Sequence, residues 1–170
     1  MKAQIRIIAL ALLLTGISIS TFAQVSATAN ASATIVTPIA ISKTVDMNFG
    51  NVAVSATAGT VVLTPAGSRS LTGGVTLPTI AGTVAAASFN VTGAKNYTYT
   101  ITHPSTALTI TSGANNMTVN SFTSNPSTTG TLSASGAQTL NVGATLNVGA
   151  SQAAGSYISG TPFTVTVNYN

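Results

Sequence analysis

The chain has 170 residues, of which 45% are hydrophobic, 5% aromatic and 4% charged, with no cysteine and a formal charge of +4. So few charges exclude a nucleic-acid footprint, which needs clustered Lys and Arg. The apolar fraction excludes a disordered chain, which combines low hydrophobicity with high charge. The absence of Cys excludes a disulfide framework and thiol chemistry.

The N-terminus has the layout of a secretory signal. Lys2 and Arg6 form a basic start, Ile7 to Leu14 an apolar run, and Thr21-Phe-Ala23 a cleavage site ahead of Gln24. Residues 1–23 are therefore expected to be removed, leaving one domain over 24–170 in the periplasm, at the cell surface or outside the cell. The remaining cations, Lys43, Arg69 and Lys95, face one acid, Asp46, for a net +2. No later apolar run is long enough to span a bilayer as a helix.

Successive strand side chains point to opposite faces, so period-two alternation marks a half-buried strand. Val25, Ala27, Ala29, Ala31, Ala33 and Ile35 alternate with Ser, Thr and Asn, which predicts an N-terminal strand over 24–36. Further strands are expected at 39–45, 60–64, 74–77, 87–91, 97–102, 108–111, 117–122 and around Leu140. Gly67, Gly73-Gly74, Gly93, Ser112-Gly113, Asn125-Pro126, Gly130 and Gly136 supply the turns. Thr139-Leu-Asn-Val-Gly-Ala144 recurs at once as residues 145–150, and two short strands with a Gly-Ala bend between them are expected there. Pro162 opens the last strand, with Phe163, Val165, Val167 and Tyr169 on one face. Many short strands with regular turns indicate an all-β antiparallel sandwich or barrel.

Catalytic groups are scarce. The mature chain has one His, one Asp and no Glu, which removes paired-carboxylate chemistry. His103 and Asp46 could join one of many serines only by topology. A metal site of three or four ligands has no local pattern, and no cofactor motif is present. The expectation is no catalytic, metal or cofactor site.

The N-terminal alternating strand, Asn48-Phe-Gly-Asn51, and Gly155-Ser-Tyr157 leading to Phe163–Tyr169 resemble the spore-coat-U-like pilins of the archaic chaperone–usher pathway. More closely, and over nearly all of 24–170, Ala33–Ala40, Asn48–Asn51 and Thr145–Val148 through Asn170 are similar to the secreted bacterial family called domain of unknown function 4402. The pilin resemblance implies an immunoglobulin-like sandwich lacking its last strand. Its groove would be filled first by a periplasmic chaperone and then by the N-terminal strand of another copy or a related subunit. On that resemblance Phe163, Val165, Val167 and Tyr169 would line the acceptor groove. Val25, Ala27, Ala29, Ala31, Ala33 and Ile35 would be the donor face. A structural or adhesive surface subunit is the function implied.

Two alternatives stay open. The shallow Ala face also suits a strand folded back into its own sheet, giving a self-complete monomer that binds glycan or matrix, with Tyr97, Tyr99 and Tyr157 as an aromatic platform. An outer-membrane barrel would need aromatic girdles, which so few aromatics do not supply.

Overall fold

In a computed structural model of the chain, residues 24–170 are described. The expected signal segment lies outside the described residues. Among those residues every regular element is a strand, and no helix is long and apolar enough to cross a membrane.

The thirteen strands are β1 (Ala40–Val45), β2 (Asn48–Phe49), β3 (Ala53–Leu63), β4 (Arg69–Thr76), β5 (Val84–Ala85), β6 (Ala87–Thr92) and β7 (Thr98–Thr102). They continue with β8 (Leu108–Ser112), β9 (Asn115–Asn125), β10 (Thr129–Thr131), β11 (Ala137–Val148), β12 (Ile158–Ser159) and β13 (Thr166–Tyr169). All pairings are antiparallel. The large sheet runs β1-β6-β11-β9-β8-β12, with the β3–β4 hairpin joined to β11. A three-stranded sheet, β10-β7-β13, packs over its first half. The order β1-β6-β11-β9 facing β7-β13 is that of strands A-B-E-D facing C-F in an immunoglobulin sandwich. Among the described residues no strand pairs with the outer edge of β13, the edge that strand G takes in that fold.

The first half of the core lies between the two sheets. Val91 of β6 and Leu140 and Val142 of β11 meet Tyr99 and Ile101 of β7, Val167 of β13 and Val165 just before it. Each such side chain, once buried, stabilises by about 1.5–3 kcal/mol, which is how a chain without disulfides keeps its fold. Tyr99 is fully buried, and its hydroxyl donates to Gln138 Oε1 at 2.8 Å. Burial pushes the Tyr99 phenol above its ordinary pKa.

Tyr169 links the sheets at one end. Its hydroxyl accepts the Ala94 N–H at 2.6 Å and donates to the Thr37 carbonyl at 2.7 Å. The ring stands edge-on to Tyr97, with centroids 5.6 Å apart. Tyr169→Phe keeps the ring and leaves both main-chain groups without this partner. Urea unfolding should show a loss of about 1–3 kcal/mol, with an unchanged m-value.

Several expectations need correction. No strand forms over 24–36; β1 begins at Ala40, and residues 24–35 are exposed without regular structure. A strand exists only where its N–H and C=O groups meet a neighbour, and a face of Ala buries too little by itself to offset the entropy of ordering. The body of the molecule starts at Ile35. The TLNVGA repeat lies on one continuous strand through Val148, with only Gly149 and Ala150 beyond its end, and not on two strands around a bend. A period of six is even, so Leu140, Val142, Leu146 and Val148 all point inward. Gly73-Gly74 and Gly130 lie within β4 and β10 instead of between strands. Gly130 is required by Tyr99, whose ring occupies the space a Cβ would take.

An open apolar groove and the edge of the last strand

The small sheet covers only half of the large one. β11 pairs with β6 through Val142, then with β3 from Ala144, with a register irregularity against β9 between Gly143 and Thr145. Beyond that point the inward face is formed by Leu146 and Val148 of β11, Met117 and Val119 of β9, and Leu108 and Ile110 of β8. This face is the floor of a groove of about 1090 Å³.

One wall is the segment 46–54, carrying Met47, Phe49 and Val52; the other is 152–159 with Pro162 and Phe163. The second wall is internally tied. Gln152 Nε2 donates to the Asn116 carbonyl at 3.1 Å and to the Tyr157 hydroxyl at 2.8 Å, which donates to the Ala153 carbonyl at 2.8 Å. Two of the large apolar side chains left exposed, Val54 at 40% and Ile158 at 67%, are on the groove. The one charged lining residue, Asp46, is paired with Lys43 Nζ at 2.6 Å. The floor is apolar, and Asn48, Asn51, Gln152 and Tyr157 on the walls add polar groups, the mixture by which a ligand or partner site combines burial with orientation.

The sequence-selected residues divide between core, groove and exposed segment. Phe163 lines the groove and packs on Phe89 and Phe122, with centroids 6.4 and 5.0 Å away. Val165 and Val167 do not line it; they are 7% exposed and belong to the closed half of the core. Tyr169 is the inter-sheet link already described. What β13 offers is its main-chain edge, which has β7 on one side and, among the described residues, no strand on the other. Val25 and Ile35 are 94% and 92% exposed, and Ala27, Ala29, Ala31 and Ala33 are exposed between them. The floor residues on β8 and β9 went unselected. Their period-two spacing was visible, but which inward face lacks a covering sheet is decided by pairing between distant segments.

The lone histidine has one side-chain partner. His103 Nε2 is 2.8 Å from Ser124 Oγ, and that hydroxyl also lies 2.6 Å from the Pro126 carbonyl and 2.8 Å from the Ser127 carbonyl. Carbonyls only accept, so the hydroxyl proton goes to them and Nε2–H donates to Oγ. An activated nucleophile needs the opposite direction, with the imidazole accepting the Ser proton. Asp46 serves Lys43. Among the described residues no group of three metal-ligating side chains converges.

Burial holds the His103 pKa below its ordinary 6.5. The folded state therefore resists protonation more than the unfolded chain does. Its stability contribution is complete above about pH 6.5 and is lost as pH falls through the folded pKa. Between pH 7.5 and 5 the urea midpoint should decrease, and His103→Gln should flatten that dependence.

The family model described as Domain of unknown function (DUF4402) matches residues 39–169. No curated protein and no solved structure matches the chain.

Proposed function

The chain belongs to the DUF4402 family, and we propose that it is an exported, non-enzymatic structural or adhesive surface subunit that assembles by β-strand complementation. Two observations carry this reading: an uncovered apolar floor whose wall ends at Phe163, three residues before β13, and the unpaired edge of β13 itself. An added strand gains main-chain hydrogen bonds from such an edge and specificity from the groove beneath its alternate side chains.

The occupant proposed is residues 25–35 of another copy. That segment alternates strictly, is exposed, and carries no charge, which suits a groove whose one acid is already paired. Contacts of this head-to-tail kind do not close on themselves and so build a filament. This keeps the likeness of both chain ends to spore-coat-U-like pilins, and a periplasmic chaperone strand is the proposed first occupant. The signal-like N-terminus supports export.

The mature chain, refolded without a chaperone and followed by light scattering, should form oligomers whose growth stops when 24–34 is deleted. A monomer that persists at high concentration with its N-terminal segment intact counts against the proposal.

A further inference from the structure

The shape of the groove depends on where Phe49 stands, and Phe49 belongs to a strand of two residues. β2 pairs only with Val84 and Ala85 of β5, too short a ladder to hold a wall alone. The turn that follows is tied by side chains. Asn48 Oδ1 accepts the Gly50 N–H at 2.8 Å, Asn51 N–H donates to the Ala81 carbonyl at 2.7 Å, and Asn51 Nδ2 donates to the Ile80 carbonyl at 3.1 Å. Gly50 itself has φ +69°, and a Cβ there would strike the Ala81 carbonyl oxygen and stand 2.7 Å from Val84 Cγ2.

Arg69, at the start of β4, reaches across to this turn. Its Nη1 donates to the Phe49 carbonyl at 2.6 Å and to the Asn51 carbonyl at 3.0 Å, gripping the chain on both sides of Gly50. The side chain is half-buried and, among the described residues, forms no ion pair; the one found there is Lys43–Asp46. A cation withdrawn from water without a carboxylate is costly, and two carbonyl partners offset that cost. Its surroundings thus give the charge one task, which is to fix the backbone that carries Phe49 and Val52 into the groove.

We infer that Arg69 is the positioning residue of the groove: it sets where the Phe49 wall stands, and so which apolar side chains an incoming uncharged strand can seat. This rests on the strand-acceptor reading above. Both carbonyls are held by the one Nη1, whose two N–H directions are fixed in the guanidinium plane, whereas a Lys ammonium is a freely rotating point charge on a shorter reach, so Arg69→Lys is not a silent exchange.

The test uses the full mature chain as wild type, Arg69→Met, Arg69→Lys, and Lys95→Gln, which removes the same charge from an exposed turn. Two quantities are read: amide exchange at 48–52, and affinity for a synthetic peptide of residues 24–36. Arg69→Met should speed exchange at Gly50 and Asn51 and weaken the peptide, each by about tenfold, the scale of one lost charge-assisted hydrogen bond. Arg69→Lys should fall between, and Lys95→Gln should match wild type. Should Arg69→Met lose the whole fold, Arg69→Lys carries the same comparison. Unchanged exchange at 48–52 overturns the inference whatever the peptide does. Faster exchange in the variants with a wild type that never binds peptide upholds the role of Arg69 and removes the strand-acceptor reading instead.

Discussion

Gly143→Ala should destabilise the domain by about 3 kcal/mol, at the upper end of what overpacking a closed core costs. Gly143 is buried at the point where β11 leaves β6 and takes up β3. A Cβ there would run into the Leu63 carbonyl oxygen and stand 2.6 Å from Thr64 C and 2.8 Å from Pro65 N. All three are main-chain atoms at the end of β3, so no rotamer change relieves the overlap. Relief requires β3 to retreat from β11, which loosens Val61 and Leu63, both fully buried. Urea unfolding of the single variant measures this directly. Gly149→Ala, the same position of the second repeat, is the comparison: its nearest contact is the Gln152 Oε1 tip, 2.8 Å away, on a side chain held by hydrogen bonds to Asn116 and Tyr157. It should cost about 1 kcal/mol, since a side-chain amide can shift at the expense of its hydrogen bonds where a crossing backbone cannot. Equal losses at the two glycines would contradict this account of β11.

The second large effect is expected from filling the groove. A synthetic peptide of residues 24–36, added at a hundred times its dissociation constant, should stabilise the mature chain by about 2.7 kcal/mol, the mass-action gain for a ligand of the folded state. The gain should depend on face. Four of the six inward residues of the segment are Ala, which contribute little burial, so Val25 and Ile35 at the ends carry most of the apolar contact. A peptide with Val25→Ser and Ile35→Ser should lose most of the stabilisation, although its backbone can still pair with β13. Thermal unfolding across a peptide titration reads both. Equal gains from the two peptides would mean that the edge alone is recognised and the groove is idle.

Much of the fold was legible because its signals are local. Alternation placed β6, β7, β8, β9 and the inward face of β13, and the even period of the TLNVGA repeat kept four apolar residues in phase. The failures have a common cause. Residues 25–35 alternate as cleanly as any strand, yet a ladder needs a partner, and alternation cannot say whether one exists within the chain. Gly143 and Gly149 are identical in the repeat, but only the first is crossed by another backbone, a contact made by residues some eighty positions earlier. The groove was half visible. Asn48-Phe-Gly-Asn51 and Phe163 drew attention at the sequence level and stand on its two walls. Val165 and Val167 were grouped with Phe163 by periodicity, and periodicity does not distinguish the covered half of a sheet from the open half.

The chain contains no cysteine, so an introduced pair reports only its own encounter. One set of full-length mature chains carries Ile158→Cys, an exposed position on the groove. A second set carries a single Cys in turn at Ala27, Thr28, Ala29, Asn30, Ala31, Ser32 and Ala33. Each arm variant is mixed with the groove variant under mild oxidation, and the mixed disulfide dimer is quantified. Strand complementation between copies predicts mixed dimers whose yield alternates with position, high on one parity and low on the other, around one register. Mixed dimers that form equally at every position, or none at any, would contradict it.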